Sequence, residues 1–248
     1  MTRLVRLEFL KLRTTPALFV TAAVAVGLSL VSAVANIFTA GHNGTPDVGT
    51  VANVQHVLNQ PSAVVSMTMF VLGILVIAGE YRQRTIIGTF LAEPRRARVV
   101  LAKLFTTGVI GALVAAVTYA ITLAVVVPVF ALKGVHHLSV NVGAMGLGTV
   151  LIGSAFALLG VAVGALTRNT VAAIIAGLVW IQIVEVAILE NAVPSLARWL
   201  PAGAAQALTN LDHSTHLLSP GAGAAVLVGW AAVIVAAATK LSVRRELR

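Results

Sequence analysis

Long apolar runs separated by short basic stretches set the pattern of this chain. The first run is Ala17 to Thr39 and the second is Pro61 to Gly79. The third goes from Leu104 to about Leu132, with Pro128 near its end. The fourth is Gly143 to Leu166, the fifth Val171 to Leu189, and the sixth Pro220 to Thr239. At ~1.5 Å per residue, each reaches across a hydrocarbon core about 30 Å thick. Backbone amides in lipid have no water to bond, so each run is predicted to be helical. The pattern predicts an all-α, polytopic membrane protein with about six transmembrane helices. No internal repeat or low-complexity linker divides it, so residues 1–248 are expected to form a single transmembrane domain.

Composition agrees with that reading. Charged residues make up 10% of the chain, against about 25% in a soluble domain. The net charge of +9 suits a nucleic-acid partner by size alone, but its distribution does not, because the basic residues lie between apolar spans rather than in a separate basic domain. All of them except Lys133 and Arg198 fall on one predicted side: the segment 1–16, the loop 80–103, Arg168, and the tail from Lys240. The positive-inside rule places that side, and both termini, in the cytoplasm. Cysteine is absent, which excludes disulfides, thiolate metal sites and cysteine nucleophiles.

The N-terminus allows several readings. A basic stretch from Arg3 to Arg13, with Ala33-Val34-Ala35 further on, has the outline of a cleavable signal. The apolar run continues to Thr39, however, and five more spans follow, which suits a signal-anchor helix better. Val5, Phe9 and Leu12 share a helical stripe, and Arg3, Arg6 and Arg13 lie on another, as in an interfacial helix. Leu4, Leu7 and Leu10 blur that division. A solvated basic anchor explains the segment equally well.

The loop 80–103 carries the most chemistry. Residues 81–91 can form a short helix, and Pro94 stops it. Ile86, Ile87, Phe90 and Leu91 form an apolar middle between charged ends. Such a helix can dock into a groove on a soluble partner and pass force to the adjoining spans. It can equally lie on anionic headgroups.

The loop also resembles the intracellular loop of permease subunits in the type-2 ABC exporter family. The resemblance rests on Glu80, Thr85, Leu91, Pro94, the arginines around 96–98, and Lys103, while Arg84 departs from the pattern where a glycine is common. With the span count it covers nearly the whole chain. It implies a permease subunit of an ATP-driven exporter in the plasma membrane of a prokaryote, surrounded by membrane lipid. It implies a second permease subunit, the same or different, and two cytoplasmic ABC ATPase subunits. The coupling contact would comprise Glu80, Arg84, Thr85, Ile86, Ile87, Phe90, Leu91 and Pro94.

The chain itself is expected to be neither an enzyme nor a cofactor carrier. Its lysines are Lys11, Lys103, Lys133 and Lys240, and none closes a phosphate-binding G-x-x-x-x-G-K-[ST] loop. ATP and Mg are therefore expected on the partner ATPase. The substrate would be amphipathic, lipid-like or drug-like.

Glu185 is the only acidic residue within a predicted span, and Gln182 lies three residues earlier on the same expected face. An intramembrane carboxylate marks a substrate pathway by default. Near the outer end of its helix, it can also be an interfacial group reaching water. His42, His56, His136, His137, His213 and His216 all fall in predicted external segments. His213 and His216, with Asp212, have the spacing of metal ligands, but loop polarity accounts for them as well. The glycines of span four, including Gly160 and Gly164, suit close helix packing. Residues 190–219 are too apolar for a free loop and are expected to dip back into the outer leaflet. The rival reading is an ATPase-independent secondary transporter or channel, although such proteins usually bury several ionisable groups near the midplane.

Overall fold

The structure, a computed structural model, describes residues 2–42, 47–82, 96–135, 138, 140–167, 169–209 and 217–244. The helices in chain order are α1 (Thr2–Thr14), α2 (Pro16–Thr39), α3 (Val51–Arg82), α4 (Arg96–Leu132), α5 (Val142–Thr167), α6 (Thr170–Ala192), α7 (Pro194–Ala197), α8 (Pro201–Thr209) and α9 (Pro220–Arg244). Among the described residues there is no strand. Five helices are long and apolar enough to cross a membrane: α2, Val51–Gly79 of α3, Val99–Leu132 of α4, α5 and α6. The sixth predicted span falls on α9, whose described apolar stretch, Pro220–Ile234, is shorter. The chain is an all-α, multi-pass membrane protein.

Local sequence explains where the helices break. Thr15 is extended and Pro16 opens α2, where a missing N–H costs nothing. The Asn169 side chain accepts from the amides of Val171 and Ala172, capping α6 directly after α5. Pro61 and Pro128 lie inside α3 and α4 rather than at their ends. Beside Pro61, the Ser62 hydroxyl donates to the Asn59 carbonyl at 2.7 Å, one way membrane helices tolerate proline.

Helix α5 is the axis of the bundle: 61% of its apolar window is buried, against 22% for α2 and for α6. It packs on α3, α4, α8 and α9. Its glycines make this possible. A side chain at Gly160 would collide with the Phe70 carbonyl of α3, and one at Gly73 with the Ala157 carbonyl of α5. Gly111 of α4 and Gly153 of α5 approach each other in the same way. Two apolar surfaces gain little by meeting in lipid, so this close backbone contact holds the bundle together.

Helix α2 lies at the periphery. Thr21, Ala25, Ser29, Ala33 and Ile37 form its buried stripe, and Phe19, Leu28, Val31 and Phe38 project outward. On the far side, the chain after α6 folds inward. Leu200 and Pro201 share a cavity with Leu159, past the midpoint of α5. Helix α8 then returns along α5 until the Leu208 carbonyl lies beside Gly148.

Candidate functional site

Two buried clusters stand out, one at the basic end of the bundle and one where α8 folds back against α6. The first joins α1 to α4. Glu8 and Lys103 are each only 4% exposed. Lys103 Nζ donates to Glu8 Oε2 at 2.8 Å, and Lys11 Nζ approaches Glu8 Oε1 at 3.5 Å from a half-exposed position. The pair borders a cavity of about 260 Å³ that Leu72, Val76 and Gly79 of α3 also line. Leu12, one turn after Glu8, is buried in the cluster with Val65, Met69 and Leu72. The inward face of α1 is thus Glu8 and Leu12. Of the predicted apolar stripe, Leu12 is buried, Val5 half-buried and Phe9 exposed, and Glu8 joins Leu12 inside because a charge removed from water needs its partner.

This junction is where the predicted coupling loop leaves and rejoins the bundle. Glu80 lies in the last turn of α3. Arg84, Thr85, Ile86, Ile87, Phe90, Leu91 and Pro94 lie outside the described residues. Lys103, in the second turn of α4, ties the returning chain to α1. Sequence reading missed Glu8, although it is the sole carboxylate among Arg3, Arg6, Lys11 and Arg13.

The second cluster is built by an irregular helix. From Trp180 to Leu189, α6 is π-helical, with i→i+5 bonding. The wider turn brings Trp180 under Glu185, five residues on. Trp180 Nε1 donates to Glu185 Oε1 at 2.7 Å, and the Ala202 amide donates to Oε2 at 2.9 Å. Ala202 is in the first turn of α8, so Glu185 caps that helix and fastens it to α6. Glu185 is 3% exposed.

Gln182 does not join it. In the π register a spacing of three no longer stacks side chains, and Gln182 instead lines a groove of about 170 Å³ with Asn59, Ser62 and Ser66 of α3 and Gln206 of α8. The shared face predicted for Gln182 and Glu185 is therefore corrected.

Glu185 forms part of the wall of two other cavities. One, of about 300 Å³, is lined by Phe70, Leu159, Trp180, Leu200, Trp230 and Ile234. The other, of about 350 Å³, is lined by Glu190, Asn191, Arg198 and Gln206. Gln206 Nε2 donates to Glu190 Oε2 at 3.1 Å. Trp230 Nε1 donates to the Trp199 carbonyl at 2.9 Å, pinning the α7–α8 turn to α9.

The two described histidines make local contacts. His42 contacts the Ala40 carbonyl through Nδ1 at 3.2 Å, and His56 meets Gln60 at the same distance. Asp212, His136, His137, His213 and His216 lie outside the described residues. Among the described residues no three His, Asp or Glu side chains gather at one point.

The sequence matches the family described as ABC-2 family transporter protein over residues 4–183. The matched stretch takes in the Glu8–Lys103 junction and Gln182, and ends just short of Glu185. No curated protein matches the chain.

Proposed function

Because the chain belongs to the ABC-2 transporter family, we propose that it is the membrane-spanning permease subunit of an ATP-driven exporter in a prokaryotic plasma membrane. It works with cytoplasmic ABC ATPase subunits that hold ATP and Mg, and with a second permease subunit. The basic end of the bundle faces the cytoplasm. The segment 81–91 meets the ATPase there, and nucleotide binding shifts the permease between inward- and outward-facing states. Substrate is amphipathic and passes the cavities around Gln182 and Glu185.

The observation that supports this reading most is the buried Glu8–Lys103 pair. It clamps α1 to the helix that leaves the loop, so movement of the loop is transmitted to α1 and α4 together instead of being lost in a flexible arm. The test is co-purification from solubilised membranes. A soluble ATPase should accompany the wild-type chain in stoichiometric amount and be lost with Ile87→Asp. If none accompanies the wild type, an ATPase-independent transporter or channel takes the place of this reading.

A further inference from the structure

We propose that the apolar chamber bounded by Phe70, Trp180 and Trp230 binds a lipophilic cation, with Glu185 as its counter-charge. It rests on the permease reading for its transport meaning, and on the chamber alone for binding.

Glu185 is buried within a membrane span, where an uncompensated charge is costly. Its two described partners are both N–H donors, one to each oxygen. Two donors and no acceptor is the bonding pattern of an ionised carboxylate, because a carboxylic acid needs somewhere to donate its proton. Among the described residues no cationic side chain is paired with it, in contrast to Glu8. The α8 terminus that it caps supplies about half an elementary positive charge, which offsets an ionised Glu185 only in part, and a bound cation would complete the compensation.

The chamber suits a particular ligand. It is an open groove of about 300 Å³ lined by Phe70, Leu159, Ile234 and two indoles, one of them half-exposed, and among its described lining residues Glu185 is acidic and none is basic. A cation there gains from the carboxylate and from the aromatic faces, while its apolar substituents meet an apolar wall. The neighbouring polar cavity offers less. It shares Glu185 and adds Glu190, but Arg198 also lines it and would repel a cation. The two cavities meet at Glu185, so a bound cation lies at the boundary between an apolar compartment and a polar one. A neutral lipid would gain nothing from the carboxylate, and an anion would be repelled.

The test uses two probes of nearly equal size and opposite charge, tetraphenylphosphonium and tetraphenylborate. Binding is measured by equilibrium dialysis on the purified full-length chain in lipid nanodiscs. The phosphonium should bind saturably, and more tightly than the borate. Glu185→Gln should weaken phosphonium binding by about tenfold or more, equivalent to about 1.4 kcal/mol, and should narrow the gap to the borate. Because Glu185 also caps α8, Ala176→Phe provides a second variant. Ala176 lines the chamber and touches neither hydrogen bond of Glu185, so the larger side chain should abolish binding while the chain still elutes as the wild type does. Equal binding of both probes, or phosphonium affinity unchanged in both variants, overturns the proposal. No ATPase is needed. If none co-purifies yet cation binding depends on Glu185, the chamber stands and the permease reading falls; the converse result separates them the other way.

Discussion

Glu8 and Glu185 are both almost wholly buried carboxylates, 4% and 3% exposed, yet they are satisfied by opposite means. Glu8 faces a lysine ammonium at 2.8 Å. Glu185 faces an indole N–H and a backbone amide. The first arrangement neutralises the charge and fixes the position of a helix. The second satisfies the oxygens and leaves the charge available. Burial alone therefore does not identify a functional carboxylate; the sign of what it faces does. At the basic end of the bundle the pairing serves mechanical attachment, and at Glu185 its absence among the described residues creates a site.

The sharpest way to break this contrast is to remove the ammonium. Lys103→Met leaves Glu8 buried without its close partner, which typically costs about 3–5 kcal/mol. A large fall in the thermal unfolding midpoint is expected in detergent, and the exchange of Glu8→Lys with Lys103→Glu should regain much of it. Trp180→Phe keeps a ring but deletes one hydrogen bond to a charged group, for an expected loss of about 1.5–3 kcal/mol. Phosphonium binding should change with it, whereas Lys103→Met should leave that binding intact. Between the two carboxylates lies the α3–α5 seam. Gly160→Ala forces a methyl group against the Phe70 carbonyl, and overpacking of this kind costs about 1–3 kcal/mol. Reduced recovery of monodisperse protein on size exclusion would register it. The smallest effect belongs to Lys11→Ala. Lys11 is 47% exposed and 3.5 Å from Glu8, and an exposed pair contributes about 0–1 kcal/mol. Comparing Lys11 with Lys103 thus tests the burial argument within one cluster.

Much of the fold was legible because lipid imposes a simple rule, that a long apolar run must be a helix. The runs from Ala17, Gly143 and Val171 fall on α2, α5 and α6 almost residue for residue. Boundaries went astray where polar residues are buried. The second span was expected from Pro61, but α3 begins at Val51, because Asn53 and Gln55 are buried within the bundle. The third apolar run was expected from Leu104, with a helical stretch from Arg95 leading into it, and α4 does begin at Arg96, with Lys103 paired inside. Glu185 was visible as an isolated carboxylate in an apolar run. Its partners were not, since the Ala202 contact depends on an inward-folding turn and the Trp180 contact on a π register that no periodicity announced. The Glu8–Lys103 pair spans 95 residues, and charge counting placed both residues on one side without bringing them together.

The most direct test of the whole account is transport by the reconstituted assembly. The chain and its co-purifying ATPase would be placed in proteoliposomes with the ATPase facing outward, and accumulation of labelled tetraphenylphosphonium inside would be followed with and without ATP. The account predicts accumulation that requires ATP and is lost when Ile87→Asp separates the ATPase. Accumulation at the same rate from the permease chain alone, driven by an ion gradient without ATP, would contradict it.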